Sequence, residues 1–220
     1  MDLTDMEQDA LKEFFNMGLG MAADSLSQMV KKEIFLSLPQ LAVVTHQQAI
    51  ALVNHQDEGK LVAVRQNFLG ELEGTALLIF PGGKGLELVR TLLGENIPLE
   101  SLTELEQETL LDVGNVILNA FLSSFTQMMT IDFEFEAAEF LKADCEALLA
   151  LNSHRIVRST KSDNSNDEEQ AFFLMMDFKT EEDERRHSSL RGYVVLLFSR
   201  EAMAILRKEL QRILATFIRS

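Results

Sequence analysis

The sequence predicts an α+β fold, internally duplicated about a pseudo-two-fold, in which a mostly antiparallel sheet carries two long helices packed side by side on one face. Three observations predict it: a repeated helical pattern, strand-like runs after each copy, and a second repeat of strand followed by helix. The helical pattern spans Thr4 to Val30 and Thr103 to Met129 at a constant offset of 99 residues. Thr4 answers Thr103, Glu7 answers Glu106, Asp9 answers Glu108, Glu13 answers Asp112, Asn16 answers Asn115, and Ser25, Gln28 and Met29 answer Ser124, Gln127 and Met128. A gapless match of that length points to one unit built twice. The chain therefore reads as a single domain over 1–220 made of two repeats, about 1–98 and 99–220.

Each element has a local reason. Thr4-x-x-Glu7 and Thr103-x-x-Glu106 are capping boxes, in which hydroxyl and carboxylate satisfy free amides of a first helical turn. Met6, Ala10, Phe14, Met17, Met21 and Leu26 then supply an apolar stripe, as do Leu105, Thr109, Val113, Val116, Ala120 and Phe125 in the second copy. Strand-like runs follow at Leu61 to Phe68, Gly74 to Phe80, Leu148 to Val157, Phe172 to Phe178 and Gly192 to Phe198, rich in β-branched and aromatic residues. Gly74 to Pro81 parallels Gly192 to Ser199 at an offset of 118, and helices are predicted near Lys84 to Leu93 and Arg200 to Ile213. The offset grows by 19 residues, which are assigned to the polar stretches Ser159 to Gln170 and Thr180 to Ser189, read as surface loops.

Composition narrows the function. With 220 residues and 46% hydrophobic content the chain can bury one good core, and no membrane span is needed. The acidic start, Met1 to Glu7, lacks the basic and apolar runs of a secretory signal, so a cytoplasmic location is expected. A formal charge of −15 without a clustered basic stripe disfavours nucleic acid. Cys145 is the only cysteine, which excludes an internal disulfide and a thiolate-rich metal site, and the four histidines are dispersed without ligand spacing. Pro81-Gly82-Gly83-Lys84-Gly85 lacks phosphate-loop spacing and a hydroxyl after the lysine, and reads as a turn into a helix.

Function is sought on the repeated row. Asp9, Glu13 and Asn16 stand at i, i+4 and i+7, which a helix aligns along one face, and Glu108, Asp112 and Asn115 do the same. Acids on a helix are ordinarily a solvated face. Asparagine in mid-helix is costly because its side chain competes for backbone hydrogen bonds, so its recurrence calls for a further reason. Gly18 and Gly20 weaken the first helix just beyond Asn16 and suggest close approach by another backbone.

These residues resemble the chemotaxis phosphatases of the CheC, CheX and FliY group. That family's motif is Asp or Ser, three residues, Glu, two residues, Asn, then 22 residues and Pro, and Asp9, Glu13, Asn16 and Pro39 fit it. Asn16-Met17-Gly18-Leu19-Gly20 is similar to the Asn-x-Gly-x-Gly that often accompanies it. The second copy departs: Glu108 replaces Asp or Ser, Asp112 replaces Glu, and Ala138 replaces Pro. The resemblance implies hydrolysis of the phosphoaspartate of a CheY-type response regulator. Asn16 would position water, as a glutamine does in GTP hydrolysis, and Glu13 would pair with a lysine of the regulator. Asp9 and Glu108 would cap, orient or support, and Asp112 with Asn115 would form a second site of shortened reach. The resemblance further implies no cofactor of the chain's own, with Mg2+ supplied by the regulator, and a CheD-type accessory protein or flagellar switch proteins as further partners. A non-catalytic adaptor on the same docking face is the alternative, motivated by the altered second copy. A small-molecule enzyme is a third reading, for which no nucleophile and base constellation is visible. The methionines are read chiefly as core, with Met17 and Met21 also placed to form a docking surface beside Asn16.

Overall fold

Helix α1 (Asp5–Val30) begins where the Thr4 hydroxyl accepts the Glu7 amide at 3.3 Å and the Glu7 carboxylate accepts the Thr4 amide at 2.8 Å. Two free donors are satisfied reciprocally. The helix stops at Lys31, whose φ of 56° is left-handed. Ser27 Oγ donates to the Ala23 carbonyl and accepts the Ile34 amide at 2.9 Å, which steers the chain into strand β1 (Ile34–Thr45). There follow α2 (His46–Asn54), β2 (Leu61–Gly70), β3 (Gly74–Phe80), α3 (Lys84–Leu93), α4 (Glu104–Met129), β4 (Phe133–Phe135) and β5 (Glu139–Ala143). A short helix α5 (145–149), β6 (Gln170–Thr180), β7 (Leu190–Phe198) and α6 (Arg200–Phe217) complete the order. This computed structural model describes residues 3–54, 61–81, 83–93, 104–129, 131–149, 170–180 and 190–217.

The duplication is visible in three dimensions. Both α1 and α4 have 26 residues, and their ends correspond at the offset of 99. The sheet is antiparallel in the order β1-β6-β7-β3-β2-β4, with β5 also on β2. At its centre Leu77 of β3 pairs with Val195 of β7, its own counterpart at the offset of 118, so the local two-fold passes between them. The outer strands cross over: β1 of the first repeat pairs with β6 of the second, and β4 and β5 of the second pair with β2 of the first. Interruptions recur at the same place in each copy. Leu38 and Pro39 bulge between the pairs Ser37–Asp177 and Gln40–Met175, and residues 136–138 separate the pairs Phe135–Phe68 and Glu139–Arg65. A proline has no amide to give a ladder, so a bulge is where β1 accommodates Pro39.

Two apolar layers flank the sheet. On one face α1, α4, α3 and α6 share a core with Val62, Val64, Leu78, Phe172 and Leu196, and on the other α2 and α5 cover Leu61, Ala63, Ile79 and Phe173. Helices α1 and α4 lie side by side, with Phe15 and Phe121 at a centroid distance of 5.5 Å. A Cβ on Gly18 would sit 3.0 Å from the Ala120 carbonyl oxygen, so this glycine lets the two backbones approach, as its position beside Asn16 suggested.

Several expectations change. The buried face of α1 is Leu11, Phe15, Gly18, Leu19, Ala22 and Leu26, whereas Met6, Met17 and Met21 are 54%, 56% and 45% exposed. Of the stripe expected on α1 only Leu26 is buried. The helix is apolar around most of its circumference, so periodicity admitted two stripes and the sheet selected the other. On α4 Val113 is buried, while Thr109, Val116 and Ala120 are half-buried. Leu148 and Leu149 are helical rather than strand, and 150–157 lie outside the described residues. Strands β1, β4 and β5 and helix α2 add to the expected elements. The Thr103 cap and the stretches 159–169 and 181–189 also lie outside the described residues. Residues 71–73 join β2 to β3 where 181–189 join β6 to β7, which accounts for part of the added length.

Candidate functional site

Helix α1 presents Asp9, Glu13 and Asn16 on one exposed face. With a rise of about 1.5 Å per residue the row is roughly 10 Å long. No hydrogen bond or ion pair engages these three side chains among the described residues. The cap is made by Thr4 and Glu7, and Asp9 takes no part in it. What orients the row is therefore the helix itself, seated on α4 through Phe15 and Gly18 and on the sheet through Leu11, Leu19 and Leu26. A carboxylate and a carboxamide one turn apart are thus held on a rigid rod, without an internal partner among the described residues.

The second row is arranged differently. Glu108 and Asp112 are exposed, but Asn115 is half-buried. One turn further on, Asn119 accepts a hydrogen bond from Gln66 Nε2 of β2 at 3.0 Å, and Gln66 is 3% exposed. Neighbouring Asn67 donates to Glu136 at 2.8 Å and accepts from Thr75 at 2.9 Å. This polar network ties α4 to β2 beneath the interruption that holds Ala138. The two triads thus occupy separate helices, and no hydrogen bond joins them among the described residues.

Two features beside the first row did not follow from periodicity. Met17 and Met21 flank Asn16 on the solvent side, and Met6 continues the ridge toward the N-terminus. Their spacing of four residues is that of a core stripe, so the sequence signal alone points inward. At the start of the helix, Glu7 is 3% exposed and accepts Gln211 Nε2 of α6 at 3.2 Å, with Arg207 Nε 3.7 Å from the same oxygen. Burial pushes its pKa up, but hydrogen bonds from Thr4 and Gln211 and the Arg207 charge outweigh burial and hold it below the usual carboxylate range.

The site thus belongs to the class of helix-borne acid and amide rows on a duplicated α+β scaffold. Comparison with known proteins gives its relatives. The CheC-like family model matches residues 6–41, a segment that contains Asp9, Glu13, Asn16 and Pro39 and excludes the second copy. The CheY-P phosphatase CheC of Bacillus subtilis (strain 168) is 23% identical over 128 residues, 56% of this chain. The match spans 59% of that relative's length. FliY of Thermotoga maritima has the same fold, with a TM-score of 0.70 at 18% identity over 97% of this chain and 100% of that one. FliM in the FliG-FliM complex from H. pylori shares it at a TM-score of 0.58 and 7% identity, over 90% of this chain and 94% of that one. Over residues 6–41 the chain is similar to CheC-like proteins, and its fold is that of FliY. No helix among the described residues is long and apolar enough to cross a membrane.

Proposed function

We propose that the chain is a phosphatase that hydrolyses the phosphoaspartate of a CheY-type response regulator. The observation that carries this reading is the exposed Asp9, Glu13 and Asn16 row, without a partner among the described residues and within the segment similar to CheC-like proteins. An acyl phosphate is already activated, so hydrolysis needs chiefly a water held in line with the leaving carboxylate. The Asn16 amide accepts one hydrogen bond from that water and donates another, without a change of charge. Glu13 pairs with a lysine of the regulator and sets the register of the helix against the phosphoryl group. Asp9 adds negative charge one turn earlier. The regulator's bound Mg2+ supplies neutralisation of phosphoryl charge.

The second row contributes less, because Asp112 is one methylene shorter than Glu13 and Asn115 is half-buried. The altered second copy, together with the fold shared with FliM in its complex with FliG, motivates a second reading as an adaptor that binds a regulator or a flagellar switch protein without hydrolysis. Decay of a phosphorylated CheY-type regulator separates the two. The phosphatase reading expects acceleration by the chain and a loss of about 10²-fold in Asn16→Ala with binding retained. Tight binding without acceleration supports the adaptor.

A further inference from the structure

Gly20 lies in the interior of α1, is exposed, and a Cβ built on it meets nothing within 4 Å. Glycine in a helix interior lowers stability relative to alanine, and here the fold gains no packing from the missing side chain. Gly18 differs, since its bare Cα admits the backbone of α4. The counterpart of Gly20 in the second copy is Asn119, which α4 uses to bind Gln66. One copy fills this position with an internal contact, and the other leaves it open to solvent. That opening is one turn beyond Asn16 and two beyond Glu13 on the same side of the helix. Met17 and Met21 wall it with exposed, adaptable apolar surface. Asp9, Glu13 and Asp24 are exposed acids on the same side of the helix, and Lys12 is the one basic residue of α1.

We infer that Gly20 is a clearance notch that lets a phosphorylated receiver-type protein close on Asn16. The partner this surface fits carries an apolar patch against Met17 and Met21 and basic groups facing the acids. The inference rests on the phosphatase reading above and adds the residue that sets the partner's distance. A side chain at position 20 holds the partner off the helix by its own thickness. A displacement near 1 Å already separates an amide from the water it must hold.

The test uses the full chain as wild type, Gly20→Ala, Gly20→Gln and Met17→Ala/Met21→Ala. Thermal unfolding, binding to a CheY-type receiver domain loaded with beryllium fluoride, and phosphoaspartate decay are each measured. Both glycine variants are expected to melt about 2–4 °C higher than wild type. Affinity for the loaded receiver falls at least about tenfold in Gly20→Gln, less in Gly20→Ala, and also in the double methionine variant. Unchanged affinity in Gly20→Gln overturns the notch, as does a lower Tm in both glycine variants, which reveals an internal role for the glycine. If wild type binds the receiver without accelerating decay and Gly20→Gln abolishes binding, the notch stands and the catalytic reading falls. If wild type neither binds nor accelerates, both fall.

Discussion

Asn16 and Asn115 occupy equivalent positions, yet one is exposed and the other half-buried, so equal substitutions have unequal effects. Asn115→Ala is expected to change phosphoaspartate decay less than about threefold, against the 10²-fold of Asn16→Ala; a larger loss in Asn115→Ala assigns the activity to the second row. The glycines give a second contrast. Gly18→Ala places a Cβ against the Ala120 carbonyl and the Phe121 Cα, neither of which is a flexible side-chain end, and overpacking of this kind costs about 1–3 kcal/mol. Thermal unfolding is expected to show a drop of several degrees, opposite in sign to Gly20→Ala. At this scale the sequence was legible in the row: Asp9, Glu13 and Asn16 were found by spacing and Pro39 by the family resemblance, and the close approach expected at Gly18 and Gly20 holds at Gly18 but not at Gly20, which faces open space. What was illegible was sidedness. Met6, Met17 and Met21 share the period of Leu11, Phe15 and Leu19, and period alone cannot say which stripe the sheet covers.

The element most exposed to a single substitution is the junction of α1 with α6. Glu7 caps the first turn and at the same time accepts Gln211 and faces Arg207. Glu7→Ala removes the returning half of the cap and leaves the Gln211 amide without its acceptor, a loss of about 1–3 kcal/mol. The junction also sets a pH dependence. Because the folded pKa lies below the ordinary value of 4.5, ionised Glu7 stabilises the fold above that value, and the contribution is lost as pH falls through the lowered pKa. Acid unfolding of Glu7→Gln, followed by circular dichroism, is expected to be flatter below pH 4.5 than that of wild type. On the other face Cys145, the first residue of α5, is buried, and burial, followed by the charges of Asp144 and Glu146, pushes its thiol up to about 11. A disulfide reagent at pH 8 is expected to label native protein slowly and unfolded protein at the rate of a free thiol. Element boundaries were legible where a cap or a glycine marks them, as at Thr4 and Gly74, whereas β7 starts at Leu190, two residues before the expected Gly192. Strand β1 was passed over because Pro39 breaks its alternation, and its place depends on a bulge against Met176 that no local pattern announces.

For the whole molecule the crossover of outer strands matters most. Since β1 completes the second repeat's hairpin and β4 with β5 completes the first's, each half alone exposes strands that its own sequence cannot pair. Residues 1–98 and 99–220 expressed separately are expected to show no cooperative thermal transition, and mixing them to restore one; two independently melting halves contradict this. The duplication was legible as an offset, whereas the exchange was not, because an offset records resemblance between segments and says nothing about which of them touch. The same exchange leaves β1 and the β4–β5 pair at the two rims of the sheet, each broken at corresponding positions. A straight rim with a full set of amides and carbonyls recruits strands from other molecules. Here a bulge at Pro39 kinks one rim and a three-residue gap interrupts the other. The proline of the motif therefore also acts as a guard against fibre growth, keeping a sheet of exposed ends from templating its own polymer.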